Sequence, residues 1–205
     1  MKRLLTLSLA ALLAAALTGC GARGAKPVIY LYPEEETQVS VTLELDGTFT
    51  STYPDYGEGW TVTAQPDGTL TDPETGRTYY CLFWEGIIDR QFDLSAGFCV
   101  AGEDTAAFLE DALARLGLTQ REANEFIIYW LPRMEGNPYN LISFQTDTYT
   151  DAAELTIAPA PDTLIRVFMA WKGLERPVEI PAQELTAPAR TGFTAVEWGG
   201  AELGK

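Results

Sequence analysis

The segment QVSVTLEL, residues 38–45, alternates strictly between polar and apolar side chains. This period of two is typical of a β-strand that buries one face and exposes the other. Asp46-Gly47 follows directly, and because such a pair is a strong hairpin signal we expect a hairpin that leads into residues 48–53. The segment predicts antiparallel β-structure rather than alternating β and α units.

Similar short patterns recur on both sides of this strand. Residues 60–64 alternate again, and turns rich in Gly, Pro and Asp lead to an aromatic run at 79–84. Further strand patterns lie after residue 140, at 141–144, 155–157, 164–171 and 193–198. Proline-rich connections at 159–161 and 177–188 are typical of edge strands and fixed turns. We therefore predict an α+β fold that is mostly an antiparallel β-sheet or sandwich.

The middle of the chain changes to a helical period. Apolar residues recur at helical spacing from Phe108 to Leu116, and Gly117 is typical of a helix C-terminus. Residues 119–122, TQRE, match a capping box, and Pro132 is expected to end the second helix. These signals predict a two-helix hairpin over about 104–131, inserted in the β domain or covering one of its faces.

The first twenty residues, MKRLLTLSLAALLAAALTGC, have the organisation of a bacterial lipoprotein leader. A basic start and a short apolar stretch precede Leu17-Thr18-Gly19-Cys20, which matches the lipobox. We predict a signal peptide over 1–19, lipidation of Cys20 by acyl chains such as palmitate, a tether over 20–26 and one domain over 27–205. Two or three acyl chains hold a protein stably on a membrane. The expected location is the extracytoplasmic face of the cell membrane.

The chain is strongly acidic. Its 14 basic and 29 acidic side chains give a formal charge of −15, and loss of Lys2 and Arg3 with the leader would leave −17. Nucleic acid would be repelled by such a surface, so we expect no nucleic-acid partner. The membrane is the expected partner through the lipid, and a protein or a glycan is the class of ligand left open.

Cys81 and Cys99 remain once Cys20 is acylated. An even pair outside the cytoplasm makes a Cys81–Cys99 disulfide possible. Two buried thiols that pack as small apolar side chains are the alternative, and the spacing does not separate the two.

The chain contains no histidine, so any site with a catalytic or metal-binding histidine is excluded. The sequence predicts no cofactor and no metal. Carboxylates beside large rings remain, at Trp84-Glu85 and at Glu197-Trp198. If the two segments converge, Glu85 and Glu197 are the carboxylate pair of a glycosidase-like hydrolase; otherwise the tryptophans are core residues and the glutamates are solvated or paired with arginine.

Arg166 shares a predicted strand face with Leu164 and Phe168. A guanidinium in such an apolar setting needs a carboxylate or carbonyl partner, and Glu85, Glu197 or Asp162 are candidates. An anionic ligand bound at the floor of a pocket is the alternative. Trp84, Trp198 and Arg166 are therefore a candidate ligand or ion-pair site.

Seven segments of the chain together resemble an uncharacterised family of bacterial lipoproteins that opens with KPVIYLYP. The matching segments are KPVIYLYP at 26–33, GW…A…PDGTL at 59–70, LFWEG at 82–86, EANEFIIYWLP at 122–132, NPYNLISF at 137–144, PDTLIRVFMAW at 161–171 and GFTAVEWGG at 192–200. The resemblance implies that the mature region is one unit. It implies no activity, cofactor or site residue.

Two hypotheses follow for function. The first is a membrane-anchored extracytoplasmic lipoprotein that acts as a binding or interaction module, without catalysis. The second is a carboxylate-dependent hydrolase that acts on envelope or environmental glycan, with Glu85 and Glu197 as its acid and its nucleophile or base.

Overall fold

A computed structural model describes residues 22–204. The predicted signal peptide over 1–19 and the predicted lipidation site Cys20 lie outside these residues. In the described part of the chain no helix has the length and apolar character needed to cross a bilayer.

The described residues form twelve strands and three α-helices. The strands are β1 (Ala22–Tyr32), β2 (Thr37–Leu45), β3 (Gly47–Tyr53), β4 (Trp60–Ala64), β5 (Leu70–Thr71), β6 (Thr78–Tyr79), β7 (Leu82–Ile88), β8 (Phe98–Ala101), β9 (Tyr139–Gln145), β10 (Ala153–Ala158), β11 (Thr163–Leu174) and β12 (Thr194–Glu202). The helices are α1 (Thr105–Arg115), α2 (Gln120–Met134) and α3 (Asp147–Ala152). The β-rich α+β class is confirmed.

Three layers stack on one another. The middle layer is a seven-stranded sheet in the order β3-β7-β1-β12-β11-β9-β8, and a five-stranded sheet in the order β10-β2-β4-β5-β6 covers one of its faces. A core of aliphatic and aromatic side chains fills the space between the two sheets. Helices α1 and α2 pack on the other face over a second core. Because successive residues of a strand point to opposite faces, neighbours in the middle sheet belong to different cores.

The two predicted helices are present, with bounds slightly different from those expected. The capping box that starts α2 is formed as the sequence predicts, since the Thr119 side chain accepts from the Glu122 N–H and the Glu122 carboxylate accepts from the Thr119 N–H. The prediction that Pro132 ends this helix is wrong, because α2 continues to Met134. Proline removes one helical hydrogen bond, to the carbonyl of Ile128. Ile128 is 63% exposed, so we attribute the tolerance to solvation of that carbonyl.

The expected Asp46-Gly47 hairpin is also wrong, since β2 and β3 belong to different sheets. Gly47 instead lets the chain pass close to β7, because a Cβ on this residue would lie 1.9 Å from the Ile87 carbonyl oxygen. The backbone N–H of Asp46 donates to the Ala152 carbonyl, and its carbonyl accepts from Asp89. The pair therefore marks a crossing between sheets rather than a turn.

The prediction of antiparallel structure holds for every strand pair of the described residues except β11 and β12, which run parallel. Parallel neighbours need a long crossover, and the proline-rich segment 175–193 supplies it without a helix. Two side chains fix this segment. Gln183 bonds both backbone groups of Phe144 at 2.8 and 2.9 Å, and Arg190 pairs with the buried Glu122.

The tether predicted over 20–26 is too long. Strand β1 begins at Ala22, and Ala22 and Gly24 already pair with Ile88 and Gly86 of β7. The small residues that suggested a tether are needed for close packing in this strand. A Cβ at Gly24 would lie only 2.9 Å from the Ile88 side chain. The β domain therefore starts at least five residues earlier than the sequence indicated.

Candidate functional site

The residues singled out from the sequence separate onto the two faces of the middle sheet. On β12, Glu197 points between the sheets and Trp198 points toward the helices. On β7, Trp84 points between the sheets, so its neighbour Glu85 faces the helix side. The structure therefore brings Trp84, Glu197 and Arg166 together in one place, and Trp198 and Glu85 in another.

The first group is a buried ion pair. Arg166 Nε donates to Glu197 Oε2 at 2.7 Å, and their side chains are 8% and 0% exposed. Trp84 Nε1 donates to the other carboxylate oxygen at 3.1 Å. The Arg166 guanidinium also lies 4.8 Å from the ring centre of Tyr149, which stacks on Phe168. Of the three partners considered for Arg166, Glu197 is the one that the fold provides.

The electrostatics of this pair are those of a structural element. Burial alone would lower the pKa of Arg166, but the Glu197 carboxylate and Tyr149 together outweigh it and raise that pKa. Burial, with a smaller contribution from Glu197, raises the pKa of Tyr149 well above 10. Both groups keep their protons at every physiological pH. The pair lies in the inter-sheet core with its side chains almost fully removed from solvent.

The carboxylate pair required by the hydrolase hypothesis does not form. Glu85 and Glu197 lie on opposite faces of the sheet, and Glu197 is fully buried. A glycosidase needs both carboxyl groups on one open cleft, a few ångströms apart. Glu85 and Glu197 therefore cannot act together as the acid and the nucleophile or base of a hydrolase.

The second group centres on a strained bulge at Lys26. The register of β1 shifts between Ala25 and Val28, and Lys26 adopts a left-handed conformation with φ of 51°. Its backbone N–H donates to Glu85 Oε1 at 3.3 Å. Its ammonium lies 5.2 Å from the Tyr129 ring centre and 5.6 Å from that of Trp198. Such strain persists only where the surroundings hold it, and it is concentrated at functional sites.

A row of side chains extends from this bulge to the sheet edge. Trp198, Val28, Phe83 and Tyr53 lie directly opposite one another on β12, β1, β7 and β3. Helix α2 buries the inner end of the row against Phe126, which contacts Trp198 at a ring distance of 5.3 Å. The outer end is uncovered, and Tyr53 is 54% exposed. The helix-facing side of the sheet is therefore open over β7 and β3.

The open end forms a groove of about 350 Å³, which we call the Lys26 groove. Its lining comprises Lys26, Val28, Tyr53, Thr78, Tyr79, Tyr80, Cys81 and Phe83. Tyr53 meets Tyr79 edge to face at 5.5 Å, and Tyr80, 51% exposed, lies 6.5 Å from Tyr30. Volumes of this size and apolar linings with a few polar groups are typical of ligand sites.

Two polar groups at or beside the Lys26 groove, the Tyr30 hydroxyl and the Cys81 thiol, are strongly affected by burial. The Tyr30 hydroxyl donates to Glu125 at 2.7 Å, and burial together with that carboxylate raises the pKa of Tyr30. Burial, with a smaller contribution from Glu125, raises the pKa of the Cys81 thiol to about 12. The thiol is therefore protonated at neutral pH and is no activated nucleophile. Among residues 22–204 no group of three or more Cys, Asp or Glu side chains is placed to hold a metal.

Of the two alternatives left open for Cys81 and Cys99, the structure has the free thiols, and both are half-buried. Cys81 directly precedes β7, the second strand of the middle sheet, whereas Cys99 lies on β8, its seventh strand. Five strand spacings of roughly 4.8 Å place the two about 24 Å apart. A disulfide needs Cα atoms within about 7 Å.

A second concavity of similar size is acidic and lies beside β4. Its carboxylates include Asp72, which accepts from the backbone N–H groups of Glu74 and Thr75. These bonds lower the pKa of Asp72. Asp72 is thus engaged in closing its own turn rather than directed at a ligand. We therefore take the Lys26 groove, and not this concavity, as the candidate site.

Most of the groove residues were not predicted from the sequence. Trp198 and Glu85 were singled out, but Lys26, Tyr79 and Tyr80 were not. One sequence signal could have pointed to them: Lys26, Glu85 and Tyr129 each lie in a segment that carries the family resemblance. Their convergence depends on strand order, which no local pattern gives.

A relative of this chain is the "Uncharacterized protein in bglA 3′region" of Butyrivibrio fibrisolvens. The two are 44% identical over 85 residues, which cover 37% of this chain and 86% of the relative. No family model matches the chain. No solved structure matches it either.

Proposed function

The chain belongs to the same family as this uncharacterised Butyrivibrio fibrisolvens protein, and we propose that it is a lipid-anchored, extracytoplasmic module that binds a ligand through the Lys26 groove. The observation that carries the proposal is the pair of half-exposed tyrosines, Tyr53 and Tyr80, at the rim of a groove built on a rigid sheet.

The groove has the physical features of a binding surface. Tyrosine and tryptophan offer large apolar faces with a polar tip, and interfaces are enriched in them. Here the rings are held by neighbouring rings and by strand pairing, so little side-chain entropy is lost when a ligand is bound. The strained backbone at Lys26 fits the same interpretation.

Binding is favoured over catalysis by the state of the acidic and nucleophilic groups. Glu197 is sealed between the sheets by Arg166 and Trp84. The Cys81 thiol stays protonated because of its raised pKa. Glu85 already accepts the Lys26 N–H, so it is engaged in holding the bulge.

The anchor part of the proposal is supported by the lipobox at 17–20 and by the start of β1 at Ala22. Gly21 is the single residue between Cys20 and that strand. Acylation of Cys20 would therefore hold the β domain close to the bilayer surface.

Labelling with an alkyne analogue of palmitate tests the anchor. The full-length chain should incorporate the label and fractionate with membranes, and Cys20→Ala should lose the label and appear in the soluble fraction. Equal labelling of both chains, or recovery of the unlabelled wild type from the cytosol, would contradict the proposed anchor.

Binding to an array of glycans and peptides tests the groove. Full-length protein in detergent should bind at least one class, and Tyr53→Ala with Tyr80→Ala should abolish that binding. Ile128→Ala is the matched control, because it also truncates an exposed apolar side chain but lies on α2. Binding that survives the tyrosine changes would show that the groove is not the site.

A further inference from the structure

We infer that the ligand of the Lys26 groove is an uncharged polysaccharide that lies along the exposed face of β7 and β3. This inference rests on the proposed function and adds the chemical class of the ligand. It is argued from the surface that continues the groove along these two strands.

The surface beyond the groove alternates apolar and polar rows. Tyr53 lies opposite Phe83, Ser51 opposite Glu85, and Thr48 opposite Ile87, all on the helix-facing side. Ile87 is exposed, as are Ser51 and Thr48. Rows along a strand repeat at about 6.7 Å. We call these three rows, together with the groove, the outer platform.

This pattern matches the chemistry of a sugar chain. A pyranose ring has C–H faces that stack on aromatic and aliphatic side chains, and hydroxyl groups at its edge that bond to hydroxyls and carboxylates. The row of Tyr53 and Phe83 offers ring faces, and the hydroxyls of Ser51 and Thr48 follow on the next two rows. From Phe83 to Ile87 it is five residues long, or about 13 Å between the first and the last, which suits an extended chain better than a single sugar.

The net charge of the protein disfavours an anionic ligand. A formal charge of −17 on the mature chain repels anionic polymers. The ammonium of Lys26 is already placed over the Tyr129 and Trp198 rings. Among the described residues that line the groove, Lys26 carries the one cation, and these two rings engage it.

The carboxylates near the groove are not available to bind a cationic ligand. Glu85 accepts the Lys26 N–H, and Glu125 accepts the Tyr30 hydroxyl. Neither carboxylate lines the groove, and both are hydrogen-bonded within the protein. Apart from Lys26, the described side chains that line the groove are uncharged: rings, hydroxyls, a valine and a protonated thiol.

Isothermal titration of the full-length protein in detergent tests the ligand class. The probes are cellohexaose, xylohexaose and mannohexaose as uncharged chains, polygalacturonate as an anionic chain, and a lysine-rich peptide as a cationic one. At least one uncharged hexasaccharide should bind, and the two charged probes should not. Tyr53→Ala should weaken that binding by about tenfold or more, as truncation of a central aromatic contact does. Ile128→Ala, on α2 and outside the groove lining, should leave it unchanged.

A second variant avoids any effect on the aromatic contacts. Ser51 is exposed on the edge strand, so Ser51→Trp places a bulky ring across the outer platform without altering a core, and it should also abolish binding. Groove-dependent binding of polygalacturonate or of the peptide, with none of the hexasaccharides, would overturn the ligand class and leave the proposed function standing. Binding of no probe, or binding that Tyr53→Ala and Ser51→Trp leave unchanged, would overturn both.

Discussion

Replacement of Arg166 by methionine removes one partner of the ion pair between the two sheets. Glu197 would keep its Trp84 contact at 3.1 Å but would lose the guanidinium at 2.7 Å, and it is fully buried. An uncompensated charge in a core typically costs about 3–5 kcal/mol. Arg166→Met should therefore lower the free energy of unfolding by roughly 4 kcal/mol.

Urea unfolding followed by tryptophan fluorescence measures this loss. With a slope of roughly 2 kcal/mol per molar, the expected change lowers the midpoint by about 2 M. The control is Arg90→Met, since Arg90 pairs with Asp46 at 2.6 Å but both side chains are nearly half exposed. An exposed pair contributes about 0–1 kcal/mol, so the control midpoint should move by less than about 0.5 M.

The double variant Arg166→Met with Glu197→Gln completes the design. It removes both charges and leaves a neutral amide beside Trp84, so it should be more stable than Arg166→Met alone. Equal losses for Arg166→Met and Arg90→Met would refute the reasoning. So would a double variant less stable than the single one.

Three further outcomes are expected. Thr119→Ala removes the capping bond to Glu122 and should cost about 1 kcal/mol in the same urea assay. Lys26→Gly should be more stable than Lys26→Ala by about 1 kcal/mol, because both lack the ammonium but only alanine is strained at φ 51°; equal stabilities would refute the left-handed bulge. Stability should fall as pH rises from about 9 to about 12, because the Cys81 thiol has its pKa raised to about 12 in the fold and loses its proton near pH 9 once unfolded. Tyr30 and Tyr149, whose pKa values are also raised, add to the decline above about pH 10, so Cys81→Ala should remove the part that begins near pH 9.

Local patterns predicted where strands and helices lie better than they predicted which strands pair. The strict alternation at 38–45 predicted β2, and the TQRE segment predicted the capping box of α2. Both signals come from side chains only a few residues apart. The partner of β3 depends on a contact with β7, more than thirty residues later, and no local pattern contains it. The Asp46-Gly47 signal was wrong for this reason.

The candidate site was less predictable than the fold. Trp84 and Glu85 were considered together because they are neighbours, yet strand alternation places them in different layers. Arg166 was correctly expected on an apolar face, but three carboxylates were open as partners until strand order placed β11 beside β12. The left-handed Lys26 has no sequence signal, because the bulge results from simultaneous pairing with β7 and β12.

The most direct test of ligand binding at the Lys26 groove is NMR of the full-length protein with ¹³C-labelled tyrosine rings, titrated with the hexasaccharide that binds. The rings of Tyr53 and Tyr80, at the rim, should shift in proportion to occupancy, whereas Tyr149, buried between the sheets, should not. Shifts confined to rings outside the groove, or saturation without a change at Tyr53 and Tyr80, would contradict binding at this site.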